Sequence, residues 1–230
     1  LMSVVDDARS ETIEMGAEPR GDIAVVMEYA TEDYPVSYEI VRGGGRGGSS
    51  NDPVEIIQVT GADLMKKPVA LRLRARPWAY LLPRDAVDAV AMLRRHGITV
   101  ETLVSAAELQ VDAYTVADVT HERAYNHAAA TKVEVGEVLT LTELFPAGTF
   151  IVPTAQYLGR LVAHMLEPET EDSVVYWNTM DAWIPRSVDA VGGGRGFGGR
   201  GSGRGSARPP LVPIYKLMTP TALTTKMMGN

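Results

Sequence analysis

The chain has 230 residues, 45% hydrophobic content and a formal net charge of −7. A chain of this length buries roughly 70% of the surface that its unfolded form exposes, so a globular protein is expected. The acidic balance argues against a nucleic-acid-binding protein, because affinity for phosphate needs a basic surface. No apolar run approaches the roughly 20 residues that span a bilayer, so no membrane span is expected. The absence of cysteine excludes disulfides and cysteine-ligated zinc.

Two glycine-rich tracts, Gly43–Ser50 and Gly192–Ser206, divide the sequence into three pieces. Glycine at this density is entropically costly inside a helix or strand, so both tracts are predicted to be loops. Residues 1–53 are predicted to pack on a main domain formed by residues 54–230. Because a strand-like segment at 211–218 follows the second tract, residues 192–208 are interpreted as a loop insertion in that domain.

The first elements of the chain are a short helix near residues 4–15 and strands at 22–29 and 36–41. The amino terminus has no basic segment ahead of an apolar run, so it does not have the pattern of a signal peptide. Because the chain begins at Leu1, it is interpreted as a processed piece or a segment of a longer protein.

The next elements form a predicted βαβ unit between Trp78 and Leu103. A short apolar strand ends at Pro83, Asp85 can cap the following helix, and Gly97 stands where a helix terminus favours a left-handed residue. Residues 98–103 alternate as a strand does. A strand, a helix and a strand at this spacing predict two parallel strands.

Further strands are predicted at residues 109–119, 132–141 and 150–152, with a second helix over 155–167 capped by Thr154. The fold class is therefore α/β in the broad sense (α+β). We expect a mixed β-sheet with a βαβ unit, few helices and two glycine-rich loop insertions.

The spacing of His164 and Glu167 matches H-x-x-E, a pair of zinc ligands used by zinc carboxypeptidases. A catalytic zinc site needs a third ligand, and no histidine follows residue 164. The sequence therefore favours a solvent-exposed pair on the polar face of the helix over a metal site. No catalytic, cofactor-binding or metal-ligating residue is assigned.

The remaining candidate sites have weaker signals. His121, Glu122 and His127 could chelate a divalent ion or position a general base, but polar loop residues are the more common case. The carboxylates of an acidic loop could hold Ca²⁺, although a solvated loop is favoured; they are Glu167, Glu169, Glu171 and Asp172. Ser173 has no nearby histidine suited to a triad. The aromatic residues Tyr176, Trp177 and Trp183 favour a core or an interface over a ligand cage.

The second glycine tract has two further features. Gly196, Gly198 and Gly201 match a phosphate-binding G-x-G-x-x-G, but no strand precedes the match and no helix follows it. The arginines around Phe197 resemble an RNA-binding RGG segment, a function that the acidic chain disfavours. A tract that is held in place needs a neighbour, and a second subunit is the simplest one. The candidate assembly contacts are Arg46, Arg195, Phe197, Arg200 and Arg204.

Several segments in the middle of the chain carry a resemblance to a known family. They are Arg76–Pro83, Arg95–Ile98, Phe145–Gln156 and Leu166–Asp172, the last leading to Tyr176–Asn178. In this order they resemble the region downstream of the catalytic domain in large bacterial M14-type zinc carboxypeptidases. The resemblance implies a secreted protein whose zinc ligands and catalytic glutamate precede this chain. It also implies that His164 belongs to a downstream helix and not to the zinc site.

Two functions are compatible with this resemblance. The chain is expected to be a non-catalytic domain that is released and self-assembles as an extracellular structural subunit, in a filament or tube. Alternatively, it is an accessory or substrate-binding domain of an intact metallocarboxypeptidase. In both cases zinc is expected only in the upstream domain.

Overall fold

The described part of the chain comprises residues 2–42, 54–124, 128–185 and 209–229 of a computed structural model. It contains three helices, α1 (Met2–Ala17), α2 (Val87–Arg95) and α3 (Gly159–Leu166). The strands are β1 (Asp22–Thr31), β2 (Val36–Arg42), β3 (Glu55–Ala62), β4 (Met65–Ala75), β5 (Ala79–Leu82), β6 (Glu101–Leu103), β7 (Ala107–His121), β8 (Thr131–Phe145), β9 (Phe150–Pro153), β10 (Leu211–Leu217) and β11 (Thr225–Met227). The predicted α+β class is confirmed.

A seven-stranded sheet holds the core, with the strand order β11-β6-β9-β5-β10-β7-β8. All four residues of the central strand β5 are buried, because neighbours cover both of its faces. On one face, Leu81, Ile151 and Leu217 lie in a single apolar cluster with residues of β6, β7 and β8. The second glycine tract precedes β10 in the chain and lies outside the described residues.

The predicted βαβ unit is present, but another strand separates its two strands. Both β5 and β6 pair antiparallel with β9, so β5 and β6 run in the same direction without being hydrogen-bonded to each other. Gly97 has φ +81° and ends the turn after α2, as predicted. The prediction that Asp85 caps α2 is wrong, because Ala86 occupies the N-cap position and no side chain caps the helix.

Helix α3 begins later than predicted, at Gly159. The N-cap position of α3 is Leu158 and no side chain caps the helix, so the predicted cap at Thr154 is wrong. The hydroxyl of Thr154 instead donates to the Pro77 carbonyl at 2.8 Å. Backbone bonds from Gln156 to Thr154 and from Gly159 to Gln156 instead close a pair of turns ahead of α3. Thr154 therefore joins the start of α3 to the segment before β5.

The chain divides into two compact units. The main unit contains residues 1–25 and 73–230, and the ribbon unit contains residues 26–72. Two two-stranded sheets involve the strands β1 to β4, one formed by β2 and β3 and the other by β1 and β4. None of the described residues of the ribbon unit is buried. The predicted domain boundary at residue 53 lies outside the described residues.

Helix α1 packs closely against the start of α3 within the main unit. Thr12 and Gly16 are the buried residues of α1. A Cβ atom added at Gly16 would overlap the carbonyl group of Thr154, and one at Gly159 would overlap the same carbonyl oxygen. The two glycines therefore allow a backbone approach that any side chain would block.

We expect Gly16→Ala to lower the free energy of unfolding by about 1–3 kcal/mol, because the new methyl group overpacks this contact. Helix propensity alone would act in the opposite direction, by up to about 1 kcal/mol. Urea denaturation measures the change, with Ser10→Ala at an exposed position of the same helix as the control. A Gly16→Ala protein as stable as the wild type would show that α1 does not make this contact.

Candidate functional site

Glu167 is fully buried directly after α3, and both of its carboxylate oxygens have hydrogen-bond donors. The Tyr80 hydroxyl donates to Oε1 at 2.6 Å and the Tyr114 hydroxyl donates to Oε2 at 2.8 Å. The Lys216 ammonium lies 2.7 Å from Oε1. The predicted solvent exposure of Glu167 is therefore wrong. Its backbone is extended (φ −78°, ψ 120°), so the side chain no longer follows the periodicity of the helix.

Three adjacent strands place the partners of Glu167 on one face of the sheet. Lys216 of β10 lies opposite Tyr80 of β5 and opposite Asp112 of β7. Tyr114 comes two residues after Asp112, and alternate residues of a strand share a face. The Lys216 ammonium also donates to the Tyr114 hydroxyl at 3.0 Å. The four side chains form what we call the Glu167 network.

Burial and the nearby Glu167 carboxylate raise the pKa of Tyr80 and of Tyr114 well above the ordinary tyrosine value. Both hydroxyls therefore keep their protons at neutral pH and remain donors to Glu167. The Lys216 ammonium and the Arg74 guanidinium also lie 5.3 and 5.4 Å from the centroid of the Tyr114 ring, within the range of cation–π contacts.

The acidic loop after α3 is not uniformly solvated, which corrects the sequence interpretation. Glu169 has a side chain that is only 3% exposed, and its Oε2 lies 2.6 Å from Nε of Arg74. With Glu167, two of the four carboxylates are thus bonded to buried or half-buried cations. Glu171 and Asp172 are exposed, and the Asp172 carboxylate lies 3.8 Å from Nε2 of His164. These contacts do not favour a shared Ca²⁺ site, because the oxygens of Glu167 and Glu169 already have cationic partners.

Arg76 is a buried arginine for which no ion pair is found within the described part of the chain. The residue is 5% exposed, and its Nε and Nη1 atoms have no hydrogen-bond partner within the described part of the chain. Burial, followed by the charge of Arg160, lowers the pKa of Arg76. By contrast, Arg74 pairs with Glu169 and Lys216 pairs with Glu167.

A second polar cluster surrounds Thr131 at the start of β8. The Thr131 hydroxyl donates to Oδ1 of Asp181 at 3.0 Å and lies 3.2 Å from Nδ1 of His121. The Asn178 amide donates to Oδ2 of Asp181 at 3.0 Å. His121, Thr131 and Asp181 line a surface pocket of about 470 Å³. Of the predicted His121–His127 group, His127 lies outside the described residues.

The structure places the other sequence candidates as follows. Ser173 is buried, and its hydroxyl accepts a hydrogen bond from the Tyr176 backbone at 3.1 Å. Tyr176 and Trp177 form an edge-to-face pair with ring centroids 5.3 Å apart. The candidate assembly contacts Arg46, Arg195, Phe197, Arg200 and Arg204 lie outside the described residues, as does the G-x-G-x-x-G match.

The described residues lack two features that would indicate a broad function class. Across residues 2–42, 54–124, 128–185 and 209–229, no group of three or more His, Asp or Glu side chains has an arrangement that could hold a metal ion. None of the helices in these ranges is long and apolar enough to cross a membrane.

Comparison with known proteins supports part of the sequence resemblance. The chain is 29% identical over 127 residues to Carboxypeptidase 2 of Trichophyton tonsurans, and equally to that of Trichophyton equinum. A probable carboxypeptidase 2 of Arthroderma benhamiae is 28% identical over 126 residues. About half of this chain is similar to fungal carboxypeptidases. These relatives are fungal, whereas the sequence resemblance pointed to bacterial proteins.

The similarity is limited in extent. The matching region is 51% of this chain and 24% of each of these three relatives, so the chain spans about a quarter of the length of the proteins it matches. No family model matches the chain, and no solved structure gives a significant match.

Sequence reasoning did not find Tyr80, Tyr114 or Lys216 as members of a polar network. One signal was present, because Lys216 is the single charged residue in the otherwise apolar strand β10. A lysine at a core position needs a buried anion as its partner. Its partner Glu167 is distant in sequence, and only the packing of α3 brings the two together.

The pKa shift of Tyr80 predicts a loss of stability in alkali. Its stabilising effect is fully present below about pH 10, where tyrosine of the unfolded chain begins to ionise. Above that pH the unfolded chain releases the proton while folded Tyr80 retains it, so the free energy of unfolding falls. Stability measured from pH 8 to 11 should fall less steeply in Tyr80→Phe than in the wild type. The exposed substitution Tyr29→Phe is the control; equal slopes in all three proteins would contradict the assignment.

We expect that a substitution that removes the charge of Arg76 stabilises the protein. Arg76→Met eliminates a buried cation whose Nε and Nη1 have no hydrogen-bond partner among the described residues, and it should raise the free energy of unfolding by about 1 kcal/mol or more. Arg84→Met, at an arginine whose side chain is 60% exposed, should change it by less than about 0.5 kcal/mol. A destabilised Arg76→Met protein would show that the guanidinium has a partner.

Proposed function

We propose that the chain is a non-catalytic, extracellular domain of a carboxypeptidase-like protein and acts beside a zinc peptidase domain. The observation that carries the proposal is the similarity to proteins named carboxypeptidase 2 over about a quarter of their length. The extracellular location follows from the resemblance to secreted peptidases. The role is that of an accessory domain, which stabilises the peptidase domain or holds its substrates.

The Glu167 network supports the non-catalytic part of the proposal. A zinc ligand needs an available lone pair directed at the metal. The Glu167 carboxylate is fully buried and is bonded to Tyr80, Tyr114 and Lys216 instead. His164 contacts Asp172, so the two residues of the H-x-x-E match have different partners.

Two measurements test this proposal. The purified 230-residue chain, incubated with zinc and a peptide, should release no C-terminal amino acid above the level of a metal-free control. The protein isolated from its natural source should contain a longer polypeptide or a co-purifying peptidase, as detected by intact-mass spectrometry. The proposal would be contradicted if the isolated chain released C-terminal amino acids in a zinc-dependent reaction, and if this activity were lost in His164→Ala and in Glu167→Gln.

The ribbon unit favours self-association as a second candidate function. Its described residues are all at least partly exposed, including Tyr38, Val41 and Ile56, which are 48%, 63% and 60% exposed. Two-stranded sheets are marginally stable alone in water, and their open edges can pair with another chain. A second copy of the chain that packs on the face carrying Val41 and Ile56 would cover these two side chains, in a filament or tube if the contact does not close.

This candidate predicts that Val41→Lys weakens assembly. Val41 and Ile56 lie opposite each other on β2 and β3, and a lysine at position 41 would place a charge in the apolar patch that they form. Ser37→Lys is a matched control, because it adds the same charge at an exposed polar position on the same face of β2. Sedimentation velocity should show smaller species for Val41→Lys than for Ser37→Lys. Identical profiles, or a monomeric wild type at all concentrations, would remove this candidate.

A further inference from the structure

The surface pocket beside Thr131 has a hydrogen-bonding pattern that specifies its ligand. Its volume is about 470 Å³, within the usual range for ligand pockets. Its polar side chains are His121, Thr131 and Asp181, and its apolar side chains include Val119, Ile184 and Pro185. Thr131 is 2% exposed and joins the other two polar side chains, so the arrangement is anchored in the protein.

The protonation of His121 follows from the contacts of Thr131. The Thr131 hydroxyl has a single hydrogen, and an ionised carboxylate can only accept. That hydrogen must therefore be donated to Asp181, 3.0 Å away. The contact of 3.2 Å between Thr131 and Nδ1 of His121 then requires that Nδ1 carries a proton and donates it. In a neutral imidazole the other nitrogen, Nε2, is left as an acceptor.

With His121 in its neutral form, the remaining hydrogen-bonding capacity of these three side chains is acceptor capacity. Each oxygen of Asp181 already accepts one hydrogen bond, from Thr131 or from Asn178, and each keeps a further lone pair. In the neutral imidazole, Nε2 of His121 has a lone pair and no proton. A matching ligand must donate hydrogen bonds, and the carboxylate favours a positive charge on it.

We propose that this pocket binds the side chain of an arginine. A guanidinium presents several donors in a planar fork, so it can bond to both oxygens of a carboxylate and still donate to a neighbouring acceptor. Val119, Ile184 and Pro185 provide apolar surface for the aliphatic part of the side chain. The proposal rests on the geometry of the pocket and is independent of the carboxypeptidase similarity.

Two sources can supply this side chain. One is a peptide or protein partner that carries an exposed arginine. The other is the glycine- and arginine-rich tract of the chain itself, which contains Arg195, Arg200 and Arg204 in its sequence. Both sources present the same guanidinium group. The experiment therefore needs one arm that tests whether the pocket binds arginine and a second arm that identifies the source of the arginine.

The first arm titrates the full chain with acetyl-Gly-Arg-Gly-amide while the ring protons of His121 are followed by NMR. We expect a saturable shift, and at least tenfold weaker binding of the peptide in which neutral citrulline replaces arginine. Asp181→Asn keeps an oxygen that can accept from Thr131 but removes the charge, and it should weaken binding at least tenfold. Equal affinity for the arginine and citrulline peptides, or unchanged affinity in Asp181→Asn, overturns the proposal.

The second arm replaces Arg195, Arg200 and Arg204 together with glutamine. If the tract occupies the pocket, this variant binds the arginine peptide more tightly than the wild type, and its His121 signals differ before peptide is added. If the source is an external partner, the variant and the wild type bind the peptide equally. If neither protein binds the peptide and the His121 signals of the two coincide, the pocket takes no arginine and the proposal is wrong.

Discussion

The buried carboxylate of Glu167 is the interaction on which the arrangement of α3 and the centre of the sheet depends. A carboxylate in the interior costs several kcal/mol unless cations and hydrogen-bond donors compensate it. Here the compensation comes from three neighbouring strands, through Tyr80, Lys216 and Tyr114. The end of α3 is thereby connected to β5, β10 and β7 at once, and Glu169 adds a pair with Arg74. The same contacts that fix the helix leave Glu167 without a free oxygen for chemistry.

The two units of the chain differ in how completely their apolar side chains are buried and their buried charges are paired. In the main unit, apolar residues of the central strands are fully buried and the buried charges of Glu167 and Lys216 are paired, whereas Nε and Nη1 of Arg76 have no hydrogen-bond partner among the described residues. In the ribbon unit, apolar side chains such as Val41 and Ile56 remain more than half exposed. The first pattern is typical of a stable scaffold, and the second is typical of a surface that another molecule covers.

Local patterns in the sequence predicted most elements, because alternation and glycine positions act over a few residues. The long strands β7 and β8 and the left-handed Gly97 are examples. The insertion of β9 between β5 and β6 was not predicted, since strand order depends on tertiary packing. Glu167 was placed on the polar face because the helix was extended one residue too far, and its partners come from distant strands. The His121 pocket was only partly anticipated, because Thr131 and Asp181 meet His121 through folding alone.

The structural role of the Glu167–Lys216 pair is tested most directly by a double-mutant cycle on these two residues, measured by urea denaturation. If the pair is structural, Glu167→Gln and Lys216→Met should each cost about 3–5 kcal/mol, because each leaves a buried charge without its partner. The double variant should then be more stable than the sum of the two losses implies, with a coupling energy of about 1–3 kcal/mol. Two results together would contradict a structural role and make Glu167 a metal ligand. The losses of stability would be small and additive, and the wild type would bind stoichiometric zinc that Glu167→Gln no longer binds.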